Sequence, residues 1–138
     1  MLGRSTRAVR TKRHTTNKKM PDRRYAAKLL FQYRVMVDGS AATRRLCEER
    51  IITFPSSHGR AALREAKRRG CAAQHSYTNG DANRVYFEFV GVMELLCLES
   101  ACDADEVWYE MPERVRPMER RAQFIPPESQ LHAIRNHD

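Results

Sequence analysis

Long apolar runs are missing from this sequence of 138 residues, and so are the motifs that mark the best-known active sites. No run approaches the roughly 18–20 apolar residues of a membrane-spanning helix, and the N-terminus lacks the apolar stretch of a secretory signal peptide. We therefore predict a cytoplasmic protein that does not enter a membrane. The chain also lacks a phosphate-binding glycine loop, a zinc-protease helix motif and a nucleophile elbow, so we predict no catalytic residue and no cofactor.

The usual redox and zinc motifs are missing, because the spacing of the cysteines does not match them. The four cysteines, Cys47, Cys71, Cys97 and Cys102, form no C-x-x-C pair. Most of their neighbours are apolar, which favours small buried side chains in a reducing compartment. The alternative is a zinc site in which Cys71 and His75 join Cys97 and Cys102, because Zn²⁺ prefers thiolate and imidazole ligands.

Acidic residues are absent from the first 19 positions, within a chain whose net charge is +8. Subtracting the seven bases of this stretch from the 25 of the chain leaves 18 bases against 17 acids, so the remainder is nearly neutral. Residues 1–23 have too few apolar side chains to offset the entropy of ordering, so we predict a disordered basic arm. Its seven bases are Arg4, Arg7, Arg10, Lys12, Arg13, Lys18 and Lys19.

Three interpretations of this basic arm remain open. Bases without acids are typical of segments that contact the phosphates of nucleic acids. The arm also has the Arg, Ser and Thr content of a transit peptide. Finally, Met20 is a second candidate start of translation, and a chain that begins there would keep the whole domain.

Alternation of apolar and polar residues with period two predicts a series of β-strands within residues 24–111, which we take as the globular domain. Pro55 is expected to end the second strand, because proline cannot donate to a central ladder. Asn79-Gly80-Asp81 is a strong hairpin turn signal between the third and fourth strands. The predicted strands are residues 25–37, 46–54, 73–78, 84–98 and 107–111.

One Ala-rich helix is predicted between the second and third strands, at residues 58–69. Ser56 or Ser57 is the expected N-cap, and Gly70 is the expected C-cap. The order β-β-α-β-β-β predicts an α+β fold, a two-layer sandwich with a mostly antiparallel sheet of about five strands and one helix on one face. Residues 112–138 are rich in proline and are predicted to form a C-terminal arm.

The most apolar strand of the chain, residues 84–98, carries two acids. Its odd-numbered side chains from Val85 to Leu95 are all apolar or glycine, whereas the even-numbered set includes Glu88 and Glu94. The first strand divides in the same way, so the apolar sides are expected under the helix and the mixed sides opposite it. We call that opposite surface the mixed face. Its predicted partner-binding residues are Lys28, Leu30, Gln32, Arg34, Glu88, Val90 and Glu94.

Two roles for the mixed face remain open. Glu88 and Glu94 are placed to pair with Lys28, Arg34 or Arg50 across the strands, which would only stabilise the sheet. The apolar residues between these charges instead indicate a surface for a protein partner or a second copy of the chain. A catalytic carboxylate pair is excluded, because six strand residues separate the two glutamates by about 20 Å and glycosidases need roughly 5–10 Å.

The strings YAAKLLFQY, CEERIITF and VYFEFVGVMELLCL, followed by VWYEM, resemble a family of small bacterial domains known as domain of unknown function 4288. FEFVGV is the most specific element of this resemblance, which extends over most of residues 25–110. It implies a stand-alone bacterial cytoplasmic domain with the fold predicted above and with no known cofactor. It brings no established activity, so it supports the fold more than the function.

Overall fold

The computed structural model describes residues 22–135, so the predicted disorder of the basic arm falls almost wholly outside the described residues. The first strand begins at Arg23, one residue before the predicted start of the domain. The elements are β1 (Arg23–Met36), β2 (Cys47–Ser56), α1 (Gly59–Ala73), β3 (His75–Thr78), β4 (Arg84–Cys97), α2 (Leu98–Ala101), α3 (Arg121–Phe124), a 3₁₀ turn (Glu128–Gln130) and α4 (His132–Arg135).

The strands form one antiparallel sheet in the order β2-β1-β4-β3. Helix α1 packs on one face of this sheet, against β4, β1 and β2. The predicted α+β class and antiparallel sheet are therefore confirmed. The long central pair β1 and β4 supplies most of both faces of the sheet.

The predicted fifth strand is wrong, because residues 107–111 have no strand geometry and the described sheet has four strands. The five-stranded sandwich is corrected accordingly. These residues attach to the domain through side chains: the Lys28 ammonium donates to the Glu110 carboxylate at 2.7 Å. Because this contact holds the segment over the face of the sheet, its backbone does not join the hydrogen-bonded ladder.

Pro55 does not end β2, which continues to Ser56 with Pro55 in register with Arg24. The reason is the position of β2 at the edge of the sheet. An edge strand has one side without a ladder, so a residue that cannot donate is tolerated there.

Helix α1 begins and ends at different residues from those predicted. His58 is the N-cap, and its Nδ1 accepts from the amide of Ala61 at 3.2 Å. Ser56 belongs instead to β2. The helix runs through Gly70 to Ala73, and Gly70 is buried against the ring of Phe89.

The core lies between α1 and the odd-numbered face of β1, as the alternation predicted. Phe31 is fully buried and stacks on Phe87 with ring centroids 4.7 Å apart. Ala62 and Ala66 bring the helix close to the sheet because their side chains are small. The core residues are Tyr25, Ala27, Leu29, Phe31, Phe54, Ala62, Ala66 and Phe87.

Strand β4 contains two irregularities that the simple alternation did not predict. Its register against β1 shifts at Val90 and again at Met93. Each of these two residues is an extra residue of β4 that has no partner on β1. Between the shifts, Val92 pairs with Leu29 and packs against the core, whereas Gly91 moves to the mixed face. The expected strict even-and-odd division of β4 is therefore wrong from Val90 to Met93, and the second shift restores it at Glu94, which pairs with Lys28.

The C-terminal segment, residues 112–135, forms short helical turns that pack on none of the strands. Its one half-buried aromatic ring, Phe124, lies between the guanidinium groups of Arg114 and Arg120, at 4.9 and 5.7 Å. The described part of this predicted arm is thus separate from the core.

Candidate interaction site on the mixed sheet face

The structure brings six of the seven predicted partner-binding residues together on the face opposite α1, whereas the seventh, Val90, is an exposed extra residue of β4 without a partner on β1. In an antiparallel ladder, residues in register point to the same side, so pairing assigns each side chain to a face. The pairs that build the mixed face are Lys28 with Glu94, Leu30 with Gly91, Gln32 with Glu88, and Arg34 with Tyr86.

Glu88 is the centre of the polar half of this face. One carboxylate oxygen accepts from Nη2 of Arg34 at 2.8 Å, and the other accepts from its Nε at 2.9 Å. The second oxygen also accepts from the Gln32 amide at 2.9 Å. Hydrogen bonds from Arg34 and then Gln32 lower the pKa of Glu88 to about 2. Glu88 is therefore ionised and fixed in orientation at neutral pH.

The guanidinium of Arg34 contacts Glu88, Tyr86 and Met36. Its Cζ lies 4.5 Å from the centre of the Tyr86 ring, and its Nη1 contacts the sulfur of Met36 at 3.2 Å. Arg45 extends the same network by donating to the Gln32 oxygen at 3.1 Å. The result is a pre-ordered polar layer, which loses little side-chain entropy when a partner covers it.

Arg50 does not take part in the mixed face, contrary to one predicted pairing. It pairs with Leu29 across the ladder and lies on the helix side, with its guanidinium 4.6 Å from the Phe31 ring. Its Nε donates to Glu48 at 2.6 Å. The prediction fails because even-numbered residues of β2 are in register with odd-numbered residues of β1, which places Arg50 on the helix side. The sequence alone does not give this register.

Lys28 anchors the other half of the mixed face. Its ammonium contacts Glu110 at 2.7 Å and Glu49 at 3.3 Å. The hydrogen bond to Glu110 is the main reason that the pKa of Lys28 is raised. Glu94 lies in register with Lys28, but its Oε1 accepts from the backbone amide of Leu95 at 2.9 Å.

A groove forms where residues 108–111 lie against this half of the face. The indole N–H of Trp108 donates to Glu110 at 3.1 Å, which ties the aromatic ring to the Lys28 anchor. We call the resulting cavity of about 410 Å³ the Trp108 groove. It is lined by Lys28, Met93, Glu94, Leu96, Trp108, Tyr109, Glu110 and Met111.

Sequence reasoning missed the Trp108 groove because it assigned residues 107–111 to the ladder. The signal that was available is the composition of VWYEM, which places a tryptophan and a tyrosine next to a glutamate. Amphipathic aromatic residues in that setting are enriched at binding surfaces.

Exposed apolar side chains surround the polar layer and the groove. Val90 is 56% exposed and Met93 is 49% exposed, and both are the extra residues at the register shifts of β4. Ile51 is exposed beside Lys28 on β2, and Met111 is 86% exposed at the groove. Leu30 is half-buried between them. A partner that covers this surface would bury apolar area next to two ion pairs that are already formed, Arg34 with Glu88 and Lys28 with Glu110.

The alternative zinc site is not assembled. Cys71 is exposed on α1, and Nδ1 of His75 lies 3.1 Å from the carbonyl oxygen of Ala73. Cys97 and Cys102 flank helix α2. Within residues 22–135, no group of three or more Cys, His, Asp or Glu side chains is placed to hold a metal ion.

The candidate nucleic-acid residues lie outside the described part of the chain. These are Arg4, Arg7, Arg10, Lys12, Arg13, Lys18 and Lys19. None of the described helices is both long enough and apolar enough to cross a membrane. Comparison of the chain with models of known families, with curated proteins and with solved structures gives no match.

Proposed function

We propose that this protein is a non-enzymatic interaction module that binds a protein partner, or a second copy of itself, through the mixed face. The observation that carries the proposal is the exposure of Val90, two residues from the ordered Arg34–Glu88 pair, and of Met93 at the Trp108 groove. Val90 and Met93 are the extra residues at the two register shifts of β4, so neither has a partner on β1. Exposed apolar residues next to a fixed polar layer are typical of recognition surfaces.

The geometry of the acids supports binding over catalysis. Glu88 forms an ion pair with Arg34, and Glu110 forms one with Lys28. A general base near pH 7 needs a raised pKa, whereas the pKa of Glu88 is lowered to about 2.

A Val90→Asp substitution tests this role, with Val115→Asp as the matched control. Both valines are exposed, but Val115 lies in the C-terminal segment away from the sheet. We expect Val90→Asp to shift sedimentation toward the monomer, or to lose retention of the partner, while Val115→Asp behaves as the native chain. Equal behaviour of both folded variants and the native chain contradicts the proposal.

A second function, nucleic-acid binding through the basic arm, is supported by the separation of charge along the chain. Seven bases and no acid fall within residues 1–19, and the rest of the chain is nearly neutral. If all seven contact duplex phosphates, log K falls with log salt at a slope of about −6. Changing the seven bases to Gln in the full chain must remove this slope, and an unchanged slope would discard the arm as the binding element.

The resemblance to the bacterial domain of unknown function 4288 family remains part of this proposal. It is supported by the two strands that precede an Ala-rich helix and by the FEFVGV segment within β4. A cytoplasmic, stand-alone role in a bacterium is the corresponding expectation for the cell.

A further inference from the structure

We propose that a second cavity, on the α1 side of the sheet, binds a small aromatic carboxylate. The cavity lies where β1 turns towards β2, and we call it the Tyr33 cavity. Its volume is about 410 Å³, which falls within the roughly 300–1,000 Å³ of small-molecule sites. Strand residues form its floor, and the segment between β1 and β2 forms its wall.

The Tyr33 cavity exists because α1 ends before the sheet does. The helix ends at Ala73, next to the start of β3. The strands continue beyond it with Val35, Val85 and Tyr77, which lie in register across β1, β4 and β3. None of the residues that line the cavity belongs to α1. This part of the apolar face is therefore walled by the neighbouring segment instead of the helix, which leaves a cavity.

Two tyrosines of the lining offer flat apolar surfaces, and neighbouring rings fix their positions. The ring centroid of Tyr33 lies 4.9 Å from that of Phe87. The His75 ring connects Phe87 to Tyr77, with centroids 5.1 and 6.0 Å away. Aromatic rings in such contact restrict one another's orientation. Because both tyrosines are ordered in advance, a flat ring binds to them with a small loss of side-chain entropy.

The charge of the lining is positive. It includes Arg44 and Arg45 and no acidic residue. Arg45 is tied to other groups, because its Nε donates to the Ala42 carbonyl at 2.9 Å and its Nη1 donates to Gln32 at 3.1 Å. Arg44 is exposed, and within residues 22–135 it forms no ion pair. Of the two arginines, Arg44 is therefore the one left for a ligand.

Asn79 adds a neutral donor to the same cavity. Its Oδ1 accepts from the backbone amides of Asp81 and Asn83, both at 3.0 Å. The oxygen is thus used within the turn, and the NH₂ group is the end left for a ligand. A guanidinium binds a carboxylate through two parallel hydrogen bonds. A ligand with a flat ring on the tyrosines and a carboxylate on Arg44 matches both parts of the lining.

Calorimetric titration of the full chain with 2-naphthoate tests this assignment. The matched probe is 2-naphthamide, which has nearly the same shape but no charge. We expect the native chain to bind 2-naphthoate about tenfold more tightly, because hydrogen bonds to a charged acceptor are the stronger ones. Tyr77→Leu should weaken both compounds to the same extent, since it removes a ring and leaves the charges unchanged.

Arg44→Gln should weaken the binding of 2-naphthoate about tenfold and leave that of 2-naphthamide unchanged. Arg60→Gln is the matched control, because Arg60 is also exposed but lies on α1 outside the cavity. Leu46 is 71% exposed in the wall of the cavity, so a carboxylate there is tolerated and repels an anion. Leu46→Asp should therefore weaken 2-naphthoate more than Leu46→Asn does.

Equal affinity of the native chain for the two compounds, or no binding of 2-naphthoate, overturns the proposal. Native affinity for 2-naphthoate in the Arg44→Gln chain or in the Tyr77→Leu chain overturns it as well. An equal loss in the Arg44→Gln and Arg60→Gln chains does so too, because the anion would then respond only to net charge. Circular dichroism confirms that each variant is folded.

The Tyr33 cavity and the mixed face lie on opposite sides of the sheet, so this inference does not depend on partner binding by Val90. Titration with 2-naphthoate reports on the cavity, and sedimentation of the Val90→Asp chain reports on the mixed face. Failure of one proposal is therefore distinguishable from failure of the other.

Discussion

Gly70 of α1 lies against the ring of Phe89 of β4, so close that a β-carbon at position 70 would be 2.5 Å from two ring carbons. The next contact along this boundary is a hydrogen bond from the Phe89 amide to the side-chain oxygen of Gln74, at 3.0 Å. Together they fix the end of the helix to β4 just before its first register shift at Val90.

A Gly70→Ala substitution should destabilise the protein, although alanine is the better helix former. The added methyl group overlaps the Phe89 ring, and relief of such overpacking typically costs about 1–3 kcal/mol. Without the overlap, the same change would stabilise a helix by about 1 kcal/mol. Urea denaturation gives the free energy of unfolding for this comparison.

Gly59→Ala is the matched control, because a β-carbon at Gly59 meets nothing within 4 Å. It should leave stability unchanged or slightly raised. Adding Phe89→Leu to Gly70→Ala should recover part of the loss. Stabilisation by Gly70→Ala alone would show that the helix does not lie this close to β4.

The pairing of Glu88 predicts a defined pH dependence. Its pKa falls from 4.5 to about 2 on folding, so the pair contributes stability above pH 4.5 and loses it as the pH falls toward 2. Glu88→Gln should therefore lower stability by about 1 kcal/mol at pH 7, with screening at this half-exposed site keeping the value small. The difference between the native and variant chains should vanish near pH 2.

Glu65 provides a comparison for this titration. Its pKa is also lowered to about 2, by Arg68 and Arg69 on the same helix. Glu65→Gln should leave the Glu88 contribution intact, so a double variant should show the sum of the two pH-dependent losses. A constant difference between native and Glu88→Gln chains from pH 7 to pH 2 would contradict the assigned ion pair.

Lys28→Met should release residues 108–111 from the mixed face. The ammonium of Lys28 holds Glu110, and Glu110 accepts from the Trp108 indole, so the anchor is lost in one step. We expect faster cleavage by chymotrypsin after Trp108 or Tyr109. Glu49→Gln removes only the 3.3 Å contact of Lys28 and should leave cleavage at the native rate. Equal cleavage of both variants would show that the Lys28–Glu110 contact does not hold residues 108–111 on the sheet.

The four cysteines should react as separate thiols. Cys47 and Cys71 are exposed, whereas Cys97 and Cys102 are half-buried. Ellman's reagent is expected to label two thiols quickly and two slowly, and added Zn²⁺ should not change either phase. If Zn²⁺ protected both Cys71 and Cys97 from the reagent, the two thiols would share a metal site, contrary to their separation in the structure.

The alternation in β1 predicted the core correctly, because Leu29 and Phe31 are inward-facing residues of a regular central strand. The same reasoning failed in β4 from Val90 to Met93, between the two register shifts. A register shift is a property of two paired strands, and nothing in VGVME marks Val90 or Met93 as the extra residue. Gly91 was the only local hint, since a glycine inside a strand often accompanies a bulge.

Other differences have equally local causes. The sequence around Gly70 predicts a helix end, because glycine usually follows the last turn. The structure instead uses the missing side chain for close approach to Phe89. Pro55 predicts a strand end, and its position on an edge strand is known only once the strand order is known. Residues 107–111 have strand composition, but the Lys28–Glu110 contact holds them over the face.

The most direct test of the mixed face as an interaction surface is photo-crosslinking from position 90. A benzophenone amino acid at position 90 replaces an exposed side chain at a register shift, and the same residue at position 115 is the control. The account predicts an adduct, with a second copy or a partner, from position 90 alone. Equal adducts from both positions, or none from position 90, would contradict the account.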